Sequence, residues 1–556
     1  MENLDLRDFI YKNLKGSKAK FYYRDKYRTW KWNFGQVLKD ALKFASLLEE
    51  LGITKGEKVV IKAPNNPQWL IVFLGCIMAG RPVVPLDLQS SQDFTRKVIG
   101  DVEASLLITG RDLEKEASSL DTNHIFLEEV EDKISGQEAF DYRKVSLAED
   151  DMLEIIYTSG TTSVPKGVVL TYKNIESNLK MALPLIKKWK KFFKYIPGTK
   201  LLTIVPLSHM YGQVVGLFIP VSIQLPVLFS FSMLPKDILE IIKKEKVIAL
   251  GALPHQLKTL KDYIIQAYRL DTPRFKAIFE KYKKKGWWIR YLRFIPVHAK
   301  IGLSLLGIIS GGAEISREVD EFYRTIAFGF FQGYGLTETA PLIALYDPTK
   351  NKAGSVGSFL DQENIKVEDG ELYVKGESVT PGYYKNKEKT SKSFKDGWFK
   401  TGDLVEVDES GNVYVKGRKD EVIVKESGIN VYPSDVEEKF KEKKEIEDCV
   451  VFGLEKSGRK EIIAVLLPKE RNMEEERVNN VVEETNSELN VHQRVDNYFI
   501  WRGEDFPRTS IMNVKKRELL EKIQQTQKGD REKLATDLAE EYKEKEKDLY
   551  GLIEKI

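Results

Sequence analysis

Between the runs Leu153–Ile156 and Val168–Thr171 lies Tyr157-Thr158-Ser159-Gly160-Thr161-Thr162-Ser163-Val164-Pro165-Lys166-Gly167. Small hydroxyl residues and glycines between two strands can turn several backbone N–H groups toward one anion. The hydroxyls add donors and Lys166 adds a positive charge, a combination that holds a polyphosphate. The segment is not a Walker A loop: Pro165 stands where that loop needs Gly, and Gly167 follows the lysine in place of Ser or Thr. Taken alone, it reads equally as a hairpin without a ligand.

Gln332-Gly333-Tyr334-Gly335-Leu336-Thr337-Glu338-Thr339 follows an apolar aromatic run. Glycines on both sides of Tyr334 would let the backbone approach a flat ligand while the ring stacks on it. Thr337 and Glu338 offer oxygen ligands suited to Mg2+. The competing reading is a strand end with a surface glutamate. Three weaker turns share this small, polar character, namely Ser310-Gly311-Gly312-Ala313-Glu314, Thr401-Gly402-Asp403 and Gly417-Arg418-Lys419-Asp420. A carboxylate such as Asp403 presents two acceptors to the two hydroxyls of a ribose. Each of these turns alone is as well explained by an ordinary charged loop.

Elements that could position such turns are legible around them. Phe34–Gly52 has apolar residues at helical spacing and ends in Gly. Short β-rich runs alternate with helical stretches as far as Ser310-Gly311-Gly312, the rhythm of parallel sheets covered by helices. After about Gly370 the texture changes to short strands joined by Asp-Gly and Ser-Gly turns. A charged helix from Ser434 and two further apolar runs suggest a small α+β module. The boundary is placed at Gly417-Arg418, giving domains 1–417 and 418–556. The charged tail from about Glu518 reads as a solvated helix.

The 556 residues are 42% hydrophobic and 31% charged, with a formal net charge of +3. That apolar share excludes a disordered or fibrous chain, and the small net charge gives no reason to expect nucleic acid. The two cysteines, Cys76 and Cys449, sit in apolar runs and exclude a disulfide framework. No histidines or cysteines share a metal-ligand spacing. No signal peptide is visible, so the expected compartment is reducing and cytoplasmic. Leu201–Pro235 carries no Asp, Glu, Lys or Arg, yet four prolines interrupt it, so it reads as buried strands and helix rather than a bilayer span.

The order of the motifs adds to this. The series Tyr157–Gly167, Pro206–Gly212, Ser310–Glu314, Gln332–Thr339, Thr401–Asp403, Gly417–Asp420 and Phe506–Ser510 resembles the adenylate-forming (AMP-binding) enzyme superfamily. Within it the chain looks most like long-chain fatty acyl-CoA synthetases. The resemblance runs from about Trp30 to about Leu520. It implies an α/β enzyme with a large N-terminal domain of helix-covered β-sheets and a small mobile α+β C-terminal domain. It also implies a ligase that joins a long-chain fatty acid to ATP, releasing pyrophosphate, and then passes the acyl group to coenzyme A. Two alternatives stay open: a ligase loading an acyl carrier protein, and a weakly catalytic lipid- and nucleotide-binding protein.

By position, the resemblance implies that Thr158, Ser159, Gly160, Thr161, Thr162 and Lys166 hold the β- and γ-phosphates. Gly311, Gly312, Ala313 and Tyr334 would flank adenine, within the Gln332-Gly333-Tyr334-Gly335 turn. Thr337 would touch the α-phosphate and Glu338 would bind Mg2+. Asp403 and Arg418 would grip the ribose, and His209 would line the acyl pocket. Asp420 falls at the interdomain hinge, and Ser427 and Gly428 would come to face the coenzyme A tunnel. Tyr211, Gly212, Val215 and Gly216 read as acyl-pocket residues, the two glycines leaving a channel on one helix face.

The chain departs from the family pattern at three places. Ser163 replaces a loop glycine, and Tyr172 replaces a frequent histidine. Asn513 stands where the family has a catalytic lysine, after Met512 in place of glycine. Asn keeps a donor but loses the charge, and Lys515 or Lys516 is expected to substitute from out of register. Finally, Arg274–Lys300 interleaves basic and aromatic residues with Glu280 as its one acid, and residues 187–195 repeat the theme. That pattern suits contact with an anionic membrane surface. A solvated helix packing its aromatics inward is the alternative.

Overall fold

A computed structural model describes residues 4–158, 166–194, 198–313, 315–348, 350–425, 429–456, 459–509, 513–526, 535–536 and 538–540. At its centre is the helix Pro67–Ala79. Asn66 caps it by accepting the Trp69 N–H at 2.9 Å, and Gly80 ends it at φ 70°. Every residue from Trp69 to Ala79 is buried, as befits a helix apolar on all sides. Gly75 brings it against Phe34–Glu50: a Cβ there would lie 2.7 Å from the Ala41 carbonyl oxygen.

One core joins these helices to strands of two sheets. The first sheet, among the described residues, has nine strands. Its parallel centre runs Gly329–Tyr334, Gly307–Gly311, Val247–Ala252, Lys200–Thr203, Val227–Ser230 and Lys20–Arg24. The second has six strands and ends in the antiparallel pair Met152–Thr158 and Lys166–Thr171, with Thr158 opposite Lys166. The β-α-β rhythm of the sequence therefore folds as expected. Ligands of such sheets gather at the carboxyl ends of the strands, and Gly311 and Gly333 lie side by side at one such end.

The charge-free stretch is largely internal as far as Phe229, while Phe231, Met233 and Leu234 are exposed. It forms the strand Lys200–Thr203, a short helix from Met210, a π-helical turn Val214–Phe218, the helix Ile219–Ile223 and the strand Val227–Ser230. No helix among the described residues is long and apolar enough to cross a membrane. The basic insert forms helices Pro273–Tyr282 and Trp287–Ile301. Its aromatics divide: Phe294 is buried, whereas Trp288 is exposed.

The region after Gly370 builds a sheet from Glu371–Val374, Trp398–Val407 and Val413–Arg418 with short partners. Beyond Arg418 the strands Ile446–Lys456, Arg459–Pro468 and Asn497–Ile500 form a three-stranded sheet. Helices Pro433–Lys441 and Glu475–Glu488 supply one of its cores, and Lys516–Thr526 supplies a second. Here the expectation of a solvated helix from Glu518 to Ile556 is corrected for its start, Lys516–Thr526; residues 541–556 lie outside the described residues. Leu519, Leu520 and Ile523 are buried against Phe452, Val465 and Phe499. Their helical spacing outweighs the charged residues around them. Both cysteines are buried free thiols.

Candidate active site

Tyr334 ends a parallel strand, and its hydroxyl donates to Asp403 Oδ2 at 2.6 Å. Asp403, 5% exposed, faces Arg418 across the antiparallel pair that carries them. Arg418 Nη1 donates to Asp403 Oδ1 at 2.9 Å and to the Thr401 carbonyl at 2.8 Å. Gly402 adopts φ +72°, and a Cβ there would lie 2.7 Å from Arg418 Nη2, so this turn needs glycine. Burial works against the Arg418 charge, but Asp403, Asp420 and Glu421 outweigh it and hold the guanidinium protonated. Burial, reinforced by Asp403, pushes the Tyr334 hydroxyl well above the usual tyrosine range and keeps it a donor. Asp420 lies 3.5 Å from Arg418 Nε.

Glu338 sits in the short turn Thr337–Thr339. Its carbonyl accepts the Thr380 N–H at 2.8 Å, and Tyr383 donates its hydroxyl to Oε1 at 2.8 Å. The chain around Tyr383 runs beside the strand that Lys166 opens: Tyr384 N–H donates to the Gly167 carbonyl at 2.7 Å, and Val169 N–H to the Gly382 carbonyl at 3.1 Å. Glu338 is thereby tied to the strand that Lys166 opens. Tyr383, which holds Glu338, is not singled out by the motifs; the aromatic pair Tyr383-Tyr384 after a Pro-Gly turn is the one signal that could have found it. Thr158 closes its strand, while Ser159, Gly160, Thr161, Thr162, Ser427 and Gly428 lie outside the described residues.

The glycines beside Tyr334 have a packing task of their own. A Cβ on Gly333 would lie 2.7 Å from Leu342 Cδ2, and one on Gly335 1.8 Å from the Pro341 carbonyl oxygen. They admit the returning chain. Gln332, in the same strand, is buried opposite Ser310.

Among the residues expected to line the acyl pocket, His209 precedes the helix Met210–Gln213, with Nε2 3.7 Å from Asp87 Oδ2. Tyr211 donates its hydroxyl to the Ile309 carbonyl at 2.9 Å. Its ring covers the glycine turn: a Cβ on Gly311 would meet Tyr211 Cε2 at 3.0 Å, and one on Gly312 Cδ1 at 3.7 Å. Ala313 follows directly. Contrary to expectation, Gly212 and Gly216 do not leave a channel. A Cβ on Gly212 would lie 1.9 Å from the Pro206 carbonyl oxygen, and one on Gly216 3.0 Å from Leu207 Cδ2. The loop they pack against fills the space. Val215 is buried in the π-helical turn, a feature frequent at functional sites. Beside it lies a fully buried pair that no motif marks, Gln213 Nε2 donating to Glu154 Oε1. Burial raises the Glu154 carboxyl to about 8, against the opposing Gln213 bond.

Asn513 is exposed; its carbonyl accepts the Thr509 N–H at 2.8 Å, and its own N–H donates to Thr509 Oγ1 at 3.1 Å. The two expected substitutes are engaged elsewhere: Lys515 with Glu518 at 3.4 Å and Lys516 with Glu421 at 2.8 Å. Among the described residues no hydrogen bond or ion pair links Asn513, Lys515 or Lys516 to Glu338, Asp403 or Arg418.

Comparisons with known proteins show the family of the chain. The model of the AMP-binding enzyme family matches residues 13–384, and that of the AMP-binding enzyme C-terminal domain matches residues 420–526. The long-chain-fatty-acid–CoA ligase of Bacillus subtilis (strain 168) is 28% identical over 552 residues, 88% of this chain and 90% of that protein. The long-chain-fatty-acid–CoA ligase FadD15 of Mycobacterium bovis is 29% identical over 446 residues, 73% of this chain and 72% of that one. Among solved structures, ATP-bound MatB from Rhodopseudomonas palustris has a TM-score of 0.73 at 21% identity, covering 93% of this chain and 98% of that one. That likeness shows the same fold.

Proposed function

The chain belongs to the AMP-binding enzyme family, and on that premise we propose that it is an ATP-dependent long-chain fatty acid–CoA ligase. The observation that carries the reading is the linked set Tyr334–Asp403–Arg418 and Glu338–Tyr383 beside the Lys166 strand. In the first step a carboxylate oxygen of the fatty acid bonds to the α-phosphorus of ATP, and pyrophosphate leaves with the electron pair. In the second, the sulfur of coenzyme A bonds to the acyl carbon, and AMP leaves.

The residues suit these tasks. Each Asp403 oxygen keeps a lone pair after its bond to Tyr334 or Arg418, so the carboxylate can still accept from a ribose diol. Lys166 and the Thr158–Thr162 loop bind the β- and γ-phosphates, and Thr337 approaches the α-phosphate. Gly311, Gly312, Ala313 and Tyr334 form the adenine cleft. Among the described residues no three His, Cys, Asp or Glu side chains cluster to hold a metal by themselves. Mg2+ is commonly held by one or two carboxylates plus substrate phosphates, and Glu338, oriented by Tyr383, fits that arrangement; the ion would neutralise charge on the phosphate chain. Tyr211 spans the two halves of the site, with His209 and Val215 on the acyl side. Residues 1–417 form the substrate-binding domain and 418–556 the lid, which pivots at Asp420 and brings Ser427 and Gly428 to coenzyme A. The insert Arg274–Lys300 adds peripheral contact with anionic lipid.

The test measures pyrophosphate release and acyl-CoA formation with palmitate, with and without coenzyme A. Pyrophosphate release with thioester appearing only when coenzyme A is present is expected. Acyl-AMP that accumulates unchanged in the presence of coenzyme A would move the reading to a carrier-protein acceptor.

A further inference from the structure

One more cation reaches the nucleotide side of the site. Lys389 lies on the short helix Lys387–Ser393. Asn386 fixes the helix start by accepting the Lys389 N–H at 2.9 Å, and Thr390 Oγ1 accepts the Tyr383 N–H at 3.0 Å. Tyr383 also bridges to Val168, two residues beyond Lys166, and its hydroxyl holds Glu338. The half-buried Lys389 ammonium stands 5.8 Å from the centre of the Tyr383 ring. The backbone thus carries this lysine to the seam between the phosphate hairpin and the Glu338 turn.

Among the described residues no carboxylate forms an ion pair with Lys389. The charges acting on it are those of Lys166, Glu338, Arg418 and Asp420. Burial first, and then Lys166, hold its ammonium below the usual lysine range. Arg418 is matched by Asp403 and Asp420, whereas Lys389 keeps its charge available beside the Glu338 turn, and lysine binds phosphate as a point charge. Meanwhile Lys515 and Lys516 are paired with glutamates, and Asn513 has no charge to offer.

We propose that Lys389 contacts the phosphate chain of ATP and the departing pyrophosphate, supplying from the N-terminal side the charge absent at Asn513. The inference rests on the ligase reading above. As the carboxylate–phosphorus bond forms and the bond to the bridging oxygen breaks, the electron pair moves onto pyrophosphate. A cation there stabilises charge that grows during the step.

The test compares Lys389→Ala, Lys389→Arg, Lys387→Ala and the double variant Lys389→Ala/Asn513→Lys. Calorimetry reads the affinity for ATP with Mg2+, and ATP–pyrophosphate exchange reads adenylation. Losing one such group typically slows the chemical step by ~10²–10³; for this half-buried lysine the expected loss is about tenfold in ATP affinity and at least as much in exchange. Arginine should retain most of both, Lys387→Ala should change neither, and Asn513→Lys should restore exchange to the alanine variant. Unchanged affinity and exchange in Lys389→Ala would overturn the proposal. So would an equal loss in Lys387→Ala, which would trace the effect to the helix. Should the parent protein bind ATP yet adenylate no fatty acid, the ligase reading fails while the affinity comparison still decides Lys389.

Discussion

At the scale of single residues, chemistry and fold make opposite demands on carboxylates. Glu338 is partly open and oriented by Tyr383. Glu338→Gln keeps its shape but removes the charge that a hard cation needs. ATP–pyrophosphate exchange across a Mg2+ titration should collapse in this variant while the protein stays folded; an unaltered Mg2+ curve would remove the metal role. Glu154 is the opposite case, sealed beside Gln213 with its carboxyl raised to about 8 from 4.5. Between those values the unfolded chain releases a proton that the folded chain retains. Stability therefore falls as pH rises from about 4.5 to about 8, by up to ~1.4 kcal/mol per pH unit. Above that window the loss is complete. Glu154→Gln removes the linkage and gives Gln213 Oε1, which lacks a partner, a new donor. Urea midpoints should flatten with pH in the variant and exceed the parent's at pH 8. Parallel pH profiles would show that Glu154 does not titrate this way.

At the scale of elements, what can be read from the sequence follows periodicity. The helix Pro67–Ala79, apolar from Trp69 onward, and the strands Met152–Thr158 and Lys166–Thr171 announce themselves by composition and by the turn residues between them. The glycines do not reveal their use. Gly212 and Gly335 look free in the sequence, but each faces a carbonyl from a chain segment that the sequence alone does not bring near. Tyr383 is hidden for the same reason: its partner Glu338 is 45 positions away. The helix Lys516–Thr526 misleads because charge dominates its composition, although Leu519, Leu520 and Ile523 form one buried stripe. Leu520→Ala should then cost ~2–5 kcal/mol of stability in the C-terminal part, the usual range for a buried leucine. Proteolysis or hydrogen exchange of that part alone should accelerate, and a change below ~0.5 kcal/mol, typical of a surface site, would restore the solvated reading.

At the scale of the whole molecule, a net charge of +3 conceals how charge and apolar surface are distributed. The helix Trp287–Ile301 turns Phe294, Val297 and Ile301 inward and leaves Trp288, Ile289, Leu292 and Ile295 exposed, with Trp288 at 71% and Leu292 at 65%. Their spacing forms one stripe along the helix. Leu303 extends it, and Lys284, Lys285 and Lys300 are exposed beside it. An apolar stripe flanked by lysines matches the boundary of an anionic bilayer, where each nearby lysine contributes about 1 kcal/mol and a fully buried large apolar side chain ~1.5–3 kcal/mol. A long-chain fatty acid partitions to the same boundary, so docking there would raise its local concentration. The protein should sediment with vesicles containing anionic lipid and be released as salt rises, because the Debye length is about 10 Å at 0.1 M. Trp288→Ser with Leu292→Ser should lower binding at every salt concentration, whereas Lys284→Ala with Lys285→Ala should act mainly at low salt. Equal binding to neutral and anionic vesicles would remove the electrostatic half. Unimpaired binding of the Trp288/Leu292 double variant would remove the helix from the contact altogether.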